Sequence, residues 1–161
     1  DLQAAAGGNV GIAGVFNGCE YVSSTTGETI FSNYWPGSGA DSNFPVKAFL
    51  YDNPNQLFTI CTSNVVSAAN TEAEVRAAVF ANIAFATGNS GSTTTGISTA
   101  TADLNTIATT NTLALRIMGV QDDPENSDFT AAGIPLIVRI NNHFNAPTGS
   151  IAAGTVSTTG V

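Results

Sequence analysis

Apart from its many serines and threonines, this 161-residue chain has few groups with reactive chemistry: one histidine, two cysteines and twelve acids. A single histidine, His143, rules out a metal cluster built on imidazoles. It leaves a Ser-His-Asp triad arithmetically available, but no Gly-x-Ser-x-Gly elbow exists to expose a nucleophile. His143 sits in Asn142-His143-Phe144, directly after a strand-like run, and reads as a structural or surface histidine. The acidic run Asp122-Asp123-Pro124-Glu125-Asn126-Ser127-Asp128 could present carboxylate oxygens to calcium. It lacks the alternating acids and central glycine of an EF-hand loop, so it reads as a solvated turn.

The remaining candidates fail in the same way. Retaining glycosidase chemistry needs two carboxylates flanking a sugar cleft, and nothing in the spacing of the acids selects a pair. Gly7-Gly8-x-x-Gly11 does not follow a strand and open a helix, so it makes no phosphate loop. Cys19 and Cys61 show no metal-ligand spacing. They could form one bridge, closing about 43 residues and worth about 4 kcal/mol in the chain-entropy model. Two reduced thiols that behave as small hydrophobes are the alternative that the burial habits of free cysteine favour. The expectation is a protein with no catalytic residue, no cofactor and no metal.

Aromatic side chains are the other notable group. Phe31, Tyr34, Trp35 and Phe44 fall close together and could form a carbohydrate platform. Packing in a core or an interface is the stronger reading, because aromatics dominate burial in both. Tyr34, Trp35 and Phe44 are the candidate interface anchors.

Composition narrows the partners. Hydrophobic residues make up 43% and charged residues only 10%, so polarity comes from Ser, Thr and Asn. Lys47, Arg76, Arg116 and Arg139 are the only cations, and the formal net charge is −8. Four scattered cations cannot displace counterions from phosphates, which argues against nucleic acid as a partner. The same argument excludes an anionic membrane surface. No run of about 18 apolar residues is present to cross a bilayer as a helix.

The elements that must position these residues are mostly strands. Ile12 to Val22 and Glu28 to Tyr34 read as a hairpin around Ser23-Ser24-Thr25-Thr26-Gly27. Phe44 to Tyr51 and Gln56 to Thr62 read as a second hairpin, turned by Asp52-Asn53-Pro54-Asn55. Thr71 to Phe80 is the one helix candidate, opened by a Thr71-x-x-Glu74 capping box and followed by Val75, Ala78, Val79 and Ile83 at helical spacing; a short helix leading into a strand at Ile83 to Ala86 is equally consistent. Gly88 to Thr112 is a low-complexity Ser/Thr/Gly/Asn stretch, read as a long polar loop. Thr112 to Val120 and Ile134 to Asn141 are two further strands. The expected fold is all-β, a sandwich or barrel with one or two short helices. A single β domain over 12–145 would carry an N-terminal arm, 1–11, and a C-terminal tail, 146–161.

The order of certain phrases adds a family resemblance. Gly14-Val15-Phe16-Asn17-Gly18-Cys19 is followed by Phe31-Ser32-Asn33-Tyr34-Trp35-Pro36-Gly37 and by Tyr51-Asp52-Asn53-Pro54 before Phe58. Later come Gly91-Ser92-Thr93-Thr94-Thr95-Gly96, Leu115-Arg116-Ile117-Met118-Gly119 and Ile140-Asn141-Asn142-His143. This order, over about residues 12 to 144, resembles capsid decoration (cement) proteins of tailed bacteriophages with an HK97-type shell. The resemblance implies a virion protein on the outer capsid surface, bound to the major capsid protein and to itself as a trimer or dimer. It implies no catalytic residues, and assembly in a reducing cytoplasm implies unbridged cysteines. An appendage module of the fibre or surface-layer type suits the composition as well, and a carbohydrate-binding module is a third possibility.

Overall fold

A computed structural model of the chain describes residues 12–63, 71–87, 91–92, 94–125 and 128–146. The expected N-terminal arm, 1–11, and the expected C-terminal tail, 146–161, lie outside the described residues except for Ala146.

The chain begins with the expected hairpin. Strand β1 (Val15–Val22) pairs antiparallel with β2 (Thr29–Ser32). Ser23 turns it locally: its hydroxyl oxygen accepts the N–H groups of Thr25 and Thr26 at 3.2 and 3.3 Å. Such side-chain bonds to the following backbone are what make serine a turn residue. After β2 the chain crosses over β1 and returns as β3 (Lys47–Tyr51), which pairs antiparallel with the other edge of β1. The result is a three-stranded sheet in the order β2-β1-β3.

The next turn forms as its residues dictate, with the Asn53 side-chain oxygen accepting the Asn55 N–H at 2.9 Å. It does not close a hairpin. Strand β4 (Leu57–Cys61) pairs with β8 (Pro135–Ile140) instead of β3. The turn signal was sound, but pairing is decided by burial. Joining β8 places Phe58 and Ile60 against the main core, which β3 does not reach.

The second sheet has the order β4-β8-β7-β5-β6. It adds β5 (Asn82–Phe85), β6 (Ala102–Ala108) and β7 (Leu115–Val120). All pairings between named strands are antiparallel. Strand β6 corrects the expectation of a polar loop from Gly88 to Thr112. Ala102 and Leu104 alternate with polar neighbours and are buried in the core. Averaged over a Ser/Thr-rich stretch, that two-residue period is invisible, although Thr is itself a good strand former.

The single α-helix among the described residues, α1 (Glu72–Ala77), is shorter than expected and capped as expected. The Glu74 N–H donates to the Thr71 hydroxyl, and the Thr71 N–H donates to the Glu74 carboxylate. Val75 from this helix joins Ile83, Leu104, Leu115, Ile117, Leu136, Val138 and Ile140 in the core. Arg76 ties the helix outward, holding Glu72 and Asp122 at 2.7 Å each. The fold is therefore all-β: two antiparallel sheets with one short helix and a 3-10 turn at Gly37–Gly39.

One joint between the two sheets lies just before β1. Ile12 makes a parallel bridge with His143, donating its N–H to the Asn142 carbonyl and accepting the Phe144 N–H, both at 2.9 Å. Two residues on, Gly14 has φ +152°, and a side chain there would run into the backbone oxygen of Tyr51. Only glycine permits so close an approach with this backbone. His143 is completely buried, and its Nδ1 accepts the Asn145 N–H at 3.0 Å. Its Nε2 then carries the proton and has no hydrogen-bond partner among the described residues. Burial pushes its pKa below the ordinary 6.5, against a smaller upward pull from Asp52.

Two outcomes follow from this joint. Gly14→Ala should lower unfolding stability by about 2 kcal/mol or more, read from the urea midpoint; a change under ~0.5 kcal/mol would mean the approach is loose. The histidine sets a pH dependence, because the unfolded chain binds its proton more readily than the folded one. Its contribution is complete above the unfolded pKa of 6.5 and is lost as pH falls through the lower folded value. Urea midpoints should fall as pH drops below 6.5, and His143→Gln should flatten that slope, whatever its effect at neutral pH.

Candidate interaction surface

Directly opposed residues of an antiparallel pair lie on the same face of a sheet. The register of the small sheet therefore sorts its side chains into two faces. On one, Cys19 lies beside Ser32 and Ala48, Tyr21 beside Ile30, and Phe16 beside Leu50. On the other, Glu20 lies between Phe31 and Lys47, Gly18 is opposite Phe49, and Val15 is opposite Tyr51. A β-bulge between Phe16 and Gly18 keeps both ends of β1 in this alternation.

The chain covers the first face itself, with the crossing segment 33–46. The Cys19 thiol donates to the Tyr34 carbonyl at 3.2 Å, and the Trp35 ring meets Phe16 edge to face at 6.5 Å and 69°. Farther along, the Asp41 N–H donates to the Val22 carbonyl at 2.8 Å. Burial pushes the Cys19 thiol pKa up, which keeps it protonated as this hydrogen-bond donor. Cys61 is exposed on β4, and both thiols are free. Asn33 donates to the Thr95 carbonyl at 3.0 Å, and Gly96 lies against the same side chain. Part of the low-complexity stretch is thereby pinned to the small sheet.

Of the candidate anchors, Trp35 and Phe44 are 47% and 52% exposed, whereas Tyr34 is partly buried. They share one segment, but the three rings form no aromatic cluster, since Phe16 with Trp35 is the one ring pair among the described residues.

The second face is bare. Phe31 is 71% exposed, Phe49 45%, Tyr51 52% and Val15 39%. With aromatic areas of ~200 Å² each, these four present roughly 350 Å² of apolar surface, within the range that marks a functional patch. Gly18 supplies no side chain in its middle, and its φ of +137° belongs to the bulge. Glu20 and Lys47 are the only charged residues among those the pairing assigns to this face, and they pair with each other at 3.0 Å. The face is thus apolar and electrically neutral on a chain of net charge −8. Phe31 stands out in the sequence as a candidate, whereas Val15, Phe49 and Tyr51 do not. The alternation of Lys47, Phe49 and Tyr51 with Ala48 and Leu50 was the signal, but apolar residues at both sets of positions hid which set is covered.

The acidic loop holds itself together. The Asp123 carboxylate accepts the Glu125 N–H, and Asp128 accepts the hydroxyl and N–H of Thr130, which hold its pKa below the usual carboxylate range. Among the described residues, no three His, Cys, Asp or Glu side chains are grouped to hold a metal. In comparison with known proteins, no family model, curated sequence or solved structure matches this chain.

Because Phe31 faces solvent, Phe31→Ser should change stability by less than about 0.5 kcal/mol. It should also reduce the fluorescence of a bound hydrophobic dye. A large loss of stability would show that the face is covered in the folded chain.

Proposed function

We propose that this chain is a capsid decoration (cement) protein of a tailed bacteriophage. It binds the outer surface of an assembled shell, contacts the major capsid protein, and performs no catalysis. The observation that carries this reading is the display of large apolar side chains on a β framework with very few ions. Phe31, Trp35, Phe44, Phe49 and Tyr51 are all exposed. Rigid aromatics deliver contact area at low entropic cost, and few flexible lysines must be immobilised at such a surface.

Charge supports the outside of a shell. A protein of net charge −8 is repelled by packaged nucleic acid and has no cationic patch to hold it there. A ligand that binds only the assembled lattice stabilises that lattice by mass action. Contacts near 1,600 Å² per copy would make a standard specific interface. Trp35 and Phe44 are the anchors that remain accessible for it; Tyr34 serves mainly to close the first face of the small sheet.

Particles produced without this protein should assemble and then release their genome at lower temperature than complete ones. Adding back the purified chain should restore the loss, and a Trp35→Ala/Phe44→Ala variant should bind the shell at least about tenfold more weakly, ~1.4 kcal/mol. Equal heat resistance of the two kinds of particle would refute the clamp. Antibody labelling confined to fibres or tail would assign the protein to an appendage instead.

A further inference from the structure

We infer that the bare face of the three-stranded sheet, carrying Val15, Phe31, Phe49 and Tyr51 around Gly18, is the interface for a second copy of this chain. Two such sheets would stack face to face about a two-fold axis. This inference is independent of whether the protein decorates a shell.

Three observations select this occupant. The first is charge. Two chains of net charge −8 repel each other, so they can approach only where the local charge is small. The face satisfies this, because its two ions, Glu20 and Lys47, cancel within 3.0 Å. A strongly basic partner would find no anionic complement here. Across a two-fold axis, Lys47 of one copy can also face Glu20 of the other, so the pair is self-complementary.

The second observation is area. Strands of eight, four and five residues, ~4.8 Å apart at ~3.3 Å per residue, give a plane of roughly 270 Å². With side-chain relief, each copy would bury on the order of 500 Å², near 1,000 Å² in total, the lower end of specific interfaces. A reversible dimer is expected, with affinity in the micromolar range.

The third observation is shape. Stacked sheets pack about 10 Å apart, with side chains of each filling gaps in the other. Along this face Phe49 lies opposite Gly18 and Phe31 opposite Glu20, so the large rings stand on the two edge strands and flank β1. A partner's rings can pack between those of the two edge strands. The opposite face cannot serve, since segment 33–46 already occupies it.

The test is sedimentation of the full chain over roughly 1–200 µM, a range that brackets micromolar affinity. The expected result is a shift from 16.4 kDa toward twice that mass as concentration rises. Phe31→Ser/Phe49→Ser should raise the dissociation constant at least about tenfold with an unchanged circular dichroism spectrum, whereas Trp35→Ala/Phe44→Ala should leave it unaltered. Lys47→Glu offers a second route that spares the aromatics. It should weaken association strongly at low salt and less at high salt, because it sets four acids against one another. A chain that stays monomeric at the highest concentration overturns the inference. So does a trimer, or a dimer indifferent to both the Phe31/Phe49 and the Lys47 changes.

Discussion

Strand β8 has two edges, and both are taken: β7 on one side and β4 on the other. The rest of the architecture depends on that pairing. Leu136, Val138 and Ile140 form the middle of the core, and a central strand with an open edge would leave its backbone groups unpaired. Strand β4 satisfies them, aligning Leu57 with Arg139 and Cys61 with Pro135. In doing so it leaves β3, its neighbour in sequence, without its nearest partner. Strand β3 pairs with β1 instead, and the chain divides into a five-stranded sheet with a core and a three-stranded sheet outside it.

That division explains where the apolar surface lies. A three-stranded sheet is close to the minimum that is stable in water and needs at least one covered face. Segment 33–46 covers one, through Tyr34 over Cys19 and Trp35 over Phe16. Nothing remains in the described chain to cover the other, where Phe31, Phe49 and Tyr51 are displayed. The large sheet spends its own apolar residues, together with Val75 of the helix, on the main core.

A bridge just before β1 is one of the contacts that join the small sheet to the large one. Gly14 passes over the Tyr51 backbone within the small sheet, where no side chain fits, and two residues earlier Ile12 bridges to His143, just after β8. His143 is neutral because it is dry, and it is dry because the chain packs over it at this crossing. A buried imidazole with one nitrogen satisfied and the other not makes the joint sensitive to acid, a property neither sheet would have by itself. His143 thus has a structural place at the bridge to Ile12.

How much of this was legible in the sequence depends on the range of the interaction involved. Local features were readable: the Ser23 turn, the Asn53 turn and the Thr71–Glu74 capping box each rest on side chains bonding backbone a few residues away. So was the all-β class, since β-branched and aromatic runs punctuated by turn residues imply strands whatever their partners. Strand β6 was masked because its alternating Ala102 and Leu104 are diluted among serines and threonines. The partner of β4 and the uncovered face of the small sheet were not readable at all. A strand edge accepts any partner of suitable register, and the choice between β3 and β8 turns on burial against residues more than seventy positions away. Tyr34, Trp35 and Phe44 could be marked as aromatic from sequence, but tertiary structure decided that the Tyr34 backbone and one edge of Trp35 close a face while Phe44 stays open to solvent. Residue types set what each segment can form locally; which edges meet, and which apolar faces stay bare, is decided only when distant strands compete for the same core.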